Sequence, residues 1–139
     1  MPKYDTLTKE QRSERMSRVK GKNTTPEIFV RRLVFSLGYR YRLHVQTLAG
    51  KPDLVFKKIK KVIFVHGCFW HLHKCNKYRI PKTRLGFWLQ KLESNYQRDK
   101  KNLHILRKGG WKILTLWECE LITTKKEKIK HKIESFLRS

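Results

Sequence analysis

The sequence predicts an α/β domain in which helices layer on a mixed sheet. Two observations carry this. Segments of helical period and of strand period succeed one another in the order helix, helix, three strands, helix, strand, helix. One run, Val62-Ile63-Phe64-Val65, is apolar without a break and reads as a strand covered on both faces. No repeat, low-complexity stretch or linker divides the chain, so residues 1–139 are expected to form one domain.

The elements follow in order. Thr8 to about Val19 reads as a basic helix with a capping box at Thr8 and Gln11. It lies in a basic segment, 1–22, broken at Gly21-Lys22-Asn23. Thr25-Pro26-Glu27 starts a second helix: a cap hydroxyl, a proline at the first helical position and an acid in the first turn. Val30, Leu33, Val34 and Leu37 form its apolar face, and Gly38 stops it. Tyr39, Tyr41, Leu43 and Val45 alternate as one face of a strand. A turn through Gly50-Lys51-Pro52 leads to a short strand, Asp53 to Phe56, and Lys57 to Lys61 reads as a charged hairpin turn before Val62–Val65. Ile80 to Thr83 reads as a loop. Arg84 to about Lys108 is a long helix closed by Gly109-Gly110, Trp111 to Trp117 a strand, and Lys125 to Leu137 a basic closing helix.

Charge narrows the partner. The formal net charge is +23, from 34 Lys+Arg against 11 Asp+Glu. Such an excess costs self-repulsion on compaction and points to a polyanion, nucleic acid first. No stretch approaches the ~18 apolar residues of a membrane span, and MPKYDTLTKEQ lacks a signal-peptide core. A cytoplasmic, nucleoid-associated protein with reduced thiols is the expectation. Three cysteines then point to metal or free thiols rather than bridges.

Chemistry concentrates after the apolar strand, in Val65-His66-Gly67-Cys68-Phe69-Trp70-His71-Leu72-His73-Lys74-Cys75. Between Arg15 and Leu92 the carboxylates are Glu27 and Asp53 alone. Asp53 opens a strand and His66 ends the next, so a hairpin brings them side by side. A carboxylate at a sheet edge, beside a main-chain carbonyl, can hold Mg²⁺. Equally, Asp53 can simply terminate the Pro52 turn. Cys68, His73 and Cys75 supply three zinc-type ligands, and Cys119, past the last strand, is the remaining thiol for a fourth. The bland alternative is three small apolar residues. Phe69, Trp70 and Trp88 are candidate wedges between bases, with core packing as the alternative.

The segments RSERMSRVKGKNTTPE, GKPDLVF, VIFVHGCFWHLHKC, TRLGFWLQKLESNYQRD and GWKILTLWECEL carry a resemblance. Across roughly residues 12–121 the chain resembles the Vsr family of very-short-patch-repair DNA mismatch endonucleases. The resemblance implies a restriction-endonuclease-like fold that nicks one strand of duplex DNA 5′ to the thymine of a T:G mismatch. It implies catalytic Mg²⁺ on Asp53 and the main-chain carbonyl of Val65, with Glu27, His66 and His71 in the active site. It implies structural Zn²⁺ on Cys68, His73, Cys75 and Cys119, and intercalation by Phe69, Trp70, Trp88 and Met16. Threonine is frequent in the family where Val65 stands; a backbone ligand should tolerate the change. His71 is the expected activator of water and His66 the expected stabiliser of phosphate charge. The expected enzyme is a monomer acting on double-stranded DNA, with mismatch-repair proteins as candidate partners. The competing reading is a non-catalytic, zinc-stabilised nucleic-acid-binding protein. A third is a nuclease for another lesion.

Overall fold

The computed structural model describes residues 3–5, 24–68, 71 and 79–139. The predicted first helix, together with Met16, Phe69, Trp70, His73 and Cys75, lies outside the described residues.

Helix α1 spans Thr25–Ser36. Its cap is Thr24, one residue before the predicted Thr25: the Thr24 hydroxyl accepts the Glu27 N–H at 3.4 Å. Gly38 then takes the left-handed φ of +88° that lets the chain leave the helix. A four-stranded sheet follows in the order β2 (Arg42–Leu43), β3 (Leu54–Phe56), β4 (Lys61–His66) and β6 (Lys112–Trp117). The first two pairings are antiparallel and β4–β6 is parallel, which makes the mixed sheet the sequence predicted. A separate parallel pair joins β1 (Lys3–Asp5) to β5 (Arg79–Pro81), where a loop was expected at Ile80.

Helix α2, Leu85–Lys108, makes the crossover from β4 to β6, and α3, Lys126–Arg138, closes the described chain. Strand alternation splits the core in two. On one face Val30, Leu33 and Val34 of α1 and Ile129, Ile133 and Leu137 of α3 pack on Leu54, Phe56, Ile63 and Leu116. On the other, Leu106 of α2 packs on Val55, Val62 and Phe64. Among the described residues no helix is long and apolar enough to cross a membrane.

Two expectations are corrected. The alternation of Tyr39 to Val45 gives only a two-residue strand. Tyr39 and Tyr41 pack edge-on against Phe56, Leu43 is exposed, and His44 turns left-handed at φ +48° and ends the pairing. The charged turn is a short 3₁₀ segment, Lys57–Ile59, and Lys61 belongs to the strand. Lys61 is buried because its ammonium caps the end of α3, donating to the carbonyls of Phe136 at 2.7 Å and Leu137 at 3.0 Å. A buried cation is tolerable when helix C-terminal carbonyls satisfy it.

Candidate active site

One end of the sheet collects the titratable groups. Parallel pairing sets His66 of β4 beside Trp117 of β6, so both strands finish together. The antiparallel β3–β4 hairpin brings the start of β3, and with it Asp53, to the same end. The start of α1 adds Glu27.

Asp53 does not pair with His66 as predicted. Its Oδ2 accepts the main-chain N–H of Val65 at 2.6 Å. Register explains this, since Leu54 faces Ile63 and the residue before it falls short of the strand end. Ligand atoms of Asp53, Glu27 and His44 lie within 4.8 Å of one another. Burial pushes the Asp53 carboxyl up to about 7, and the Glu27 carboxylate adds to the rise. The Val65 N–H, His71 and Arg31 act the other way. Glu27 is itself buried and takes a hydrogen bond from Arg31 at 3.0 Å.

Beside it stands a second cluster of His66, His71 and Asp99, also with ligand atoms within 4.8 Å. The rings of His66 and His71 stack at 3.8 Å, and Trp117 meets His66 edge-on at 5.3 Å. His71 Nδ1 is hydrogen-bonded to the Asp99 carboxylate on α2. Burial, and then the neighbouring His71, lower the His66 pKa to about 3, so His66 is neutral at ordinary pH; Asp99 opposes. A carboxylate on one ring nitrogen fixes the tautomer and leaves the other nitrogen to exchange a proton.

The sequence-predicted residues Glu27, Asp53, Val65, His66 and His71 therefore share one sheet end. The sequence reading missed Asp99, Arg31 and His44. Asp99 sits inside the quoted segment ending NYQRD, in a strongly basic helix where an acid is conspicuous. No local pattern marks His44, but Arg31 stands four residues after Glu27 on α1, a spacing that pairs acid with base.

Cys68 is buried, and its N–H donates to Glu118 Oε1 at 3.4 Å. Cys68 and Cys119 each lie two residues past a member of the His66–Trp117 pair. Trp88, in the first turn of α2, is half-buried against Phe87, whose own ring is exposed and covered by the Arg84 guanidinium.

A sequence model of the family described as DNA mismatch endonuclease Vsr matches residues 4–77. The type II nicking enzyme V.NmeAIP of Neisseria meningitidis is 47% identical over 117 residues, which are 84% of each chain. The chain belongs to the Vsr family. V.XorIIP of Xanthomonas oryzae, also a type II nicking enzyme, is 47% identical across 84% of this chain and 86% of its own. The DNA mismatch endonuclease Vsr of Escherichia coli is 38% identical across 84% of this chain and 75% of its own. The clustered carboxylates and imidazoles thus sit in a Vsr-family chain, and all but His44 fall in the segments that carried the resemblance.

Proposed function

We propose that this Vsr-family protein is a Mg²⁺-dependent DNA endonuclease of very short patch repair. It nicks one strand of duplex DNA 5′ to the thymine of a T:G mismatch. The observation that carries the reading is the meeting of the two clusters, carboxylate and imidazole, at one sheet end. A passive binding module needs neither a close acid pair in so basic a chain nor an imidazole oriented by an acid. The Vsr membership and the nicking enzymes among its relatives support the same reaction class.

The donors fit magnesium. Two carboxylates lie close together, the kind of oxygen-donor pair that holds a divalent cation, and burial followed by the Glu27 carboxylate raises the Asp53 carboxyl, a rise that a bound cation would oppose. Asp53 and the Val65 carbonyl would hold the ion, with Glu27 alongside. When bound, it supplies Lewis-acid stabilisation of the scissile phosphate and the leaving oxygen.

The chain's own groups do the rest. His71 takes the proton from the attacking water, and Asp99 keeps its ring in the right tautomer and stabilises the resulting imidazolium. His66, held neutral, contributes an N–H hydrogen bond to the phosphate rather than a positive charge. Lysines and arginines hold the flanking phosphates with affinity that falls steeply with salt. Phe69, Trp70 and Trp88, with Met16 from the other groove, wedge into the stack, which opens more readily at a mismatch.

Cys68, His73, Cys75 and Cys119 form a structural zinc site in this reading. Support comes from the paired strand ends, which carry Cys68 and Cys119 forward in step, and from the Cys68–Glu118 hydrogen bond between the two turns. A closed four-ligand site would brace the turn that carries the wedge.

The test is an end-labelled duplex holding one T:G mismatch, incubated with protein and Mg²⁺. The expected product is a single nick on the thymine strand, 5′ to the mispaired base. Tight binding without any nick would favour the non-catalytic zinc protein. Cleavage at other lesions, with T:G untouched, would move the assignment to a different substrate.

A further inference from the structure

Two acceptors converge on one guanidinium beside Asp53. Arg31 Nη2 lies 3.0 Å from Glu27 Oε2 and 3.1 Å from His44 Nε2. A guanidinium only donates, so His44 Nε2 accepts and the ring proton sits on Nδ1. The 3.5 Å approach of Nε2 to Glu27 Oε2 is then two acceptors drawn to a shared donor. The spacing of Glu27, His44 and Asp53 would also suit a cation. Arg31 already engages the Nε2 lone pair, however, so His44 is better placed to hold Arg31 than to hold a metal.

The backbone of His44 supports a dedicated role. Its φ of +48° is in the left-handed region, uncommon for a residue with a side chain. Such conformations persist where the surrounding structure imposes them, and they gather at functional sites. The His44 N–H also reaches the Asp53 carbonyl at 3.4 Å, tying this turn to the residue it would serve.

We propose that His44 and Arg31 are positioning residues: His44 holds the Arg31 guanidinium, and the guanidinium fixes Glu27 beside Asp53. The inference rests on the reading that Glu27 and Asp53 handle the divalent ion. The buried Glu27 and the half-buried Asp53 carboxylates repel each other when both are ionised, and each would relieve the strain by turning away. The guanidinium offsets that repulsion, and it bears on Asp53 as well, opposing the rise that Glu27 causes. Without the imidazole, Arg31 loses an anchor and holds Glu27 less firmly, so the carboxylate pair is less well set for a cation. Groups that orient metal-handling residues in this way typically cost 10–100-fold in metal affinity or activity when removed.

The experiment titrates Mn²⁺ alone by calorimetry into the full zinc-loaded chain, with melting and nicking measured on the same samples. His44→Gly adopts φ +48° without strain and removes the imidazole. His44→Asn tolerates the same φ and offers an amide oxygen to Arg31. Arg31→Lys keeps the charge but loses the planar, rigid guanidinium whose Nη2 reaches both acceptors, and it carries the test by itself should the glycine variant not fold. His44→Gly should melt like wild type yet bind Mn²⁺ about tenfold or more weakly, and need correspondingly more Mn²⁺ for half-maximal nicking. Arg31→Lys should lose affinity likewise, and His44→Asn should recover most of it. Wild-type Mn²⁺ affinity in His44→Gly or Arg31→Lys, whatever the melting temperature, overturns the proposal. If wild type binds Mn²⁺ no better than Asp53→Ala, the metal reading beneath it falls, and this inference falls with it.

Discussion

The rings of His66 and His71 stack at 3.8 Å with planes 4° from parallel, and their surroundings differ. Two imidazolium cations cannot share such a stack cheaply. Burial keeps His66 neutral. His71 is hydrogen-bonded to Asp99, which favours it as the proton acceptor of the proposed reaction. Either His71→Ala or Asp99→Asn should lower the nicking rate about 10²–10⁴-fold, with DNA affinity by gel shift nearly unchanged. Single-turnover rates on a T:G duplex measure it. A loss confined to affinity would remove His71 from the chemistry.

Stability should respond to pH through the same residues. Asp53 has its folded pKa raised from 3.8 to about 7. Its contribution is therefore fully present below about 4 and is lost as pH rises through 7, because the fold must then bury a charge. His66 works in the opposite sense. Its pKa falls from 6.5 to about 3, so its contribution is present above 6.5 and is lost as pH falls toward 3. With no added divalent ion, Asp53→Asn should melt at a higher temperature than wild type at pH 8 and close to it at pH 4. Added Mg²⁺ should raise the wild-type melting temperature more at pH 8 than at pH 5. A pH-independent gap between the two proteins would mean that Asp53 is not held protonated by burial.

Much of this architecture is visible in the residue pattern, and the failures have physical causes. The run Val62–Val65 reads as a covered strand, and Val62, Ile63 and Phe64 are buried with Val65 half-buried. Gly38 and Gly110 end their helices with the positive φ that other residues avoid. Asp53 and Glu27 stood out because acids are scarce around them. Asp99 and His44 meet partners remote in sequence, His71 and Arg31, so no spacing rule marks them, whereas Arg31 stands four residues after Glu27, a helical spacing the sequence reading did not use. Lys61 looked like part of a solvated turn because its counterpart, the end of α3, arrives only when the chain folds. The alternation from Tyr39 to Val45 reflected aromatic packing on Phe56 rather than a long strand.

Zinc should be structural. Metal analysis should find one Zn²⁺ per chain, and Cys119→Ser should lower the melting temperature and release the metal, since a closed site contributes folding energy outright. Zinc-free protein that melts like wild type would return the cysteines to ordinary packing.

Recognition should separate from affinity at Trp70. Phosphate contacts from a +23 chain give sequence-independent binding that one aromatic alters little. Wedging costs a few kcal/mol of unstacking, less where pairing is already poor. Trp70→Ala should therefore flatten the preference for T:G over T:A duplexes while general binding persists. Nicking rates on duplexes differing by one base decide it. A preference equal to wild type in a folded mutant would place recognition elsewhere.

The most direct test of the central claim compares Asp53→Ala with wild type on one T:G duplex in Mg²⁺, scoring nicking and gel-shift affinity in the same buffer. Removing the carboxylate removes the metal's anchor and also one repulsive charge facing the phosphates. Nicking should vanish while binding is retained or tightened. Cleavage at the wild-type rate by Asp53→Ala would contradict the assignment of this sheet end as the catalytic centre.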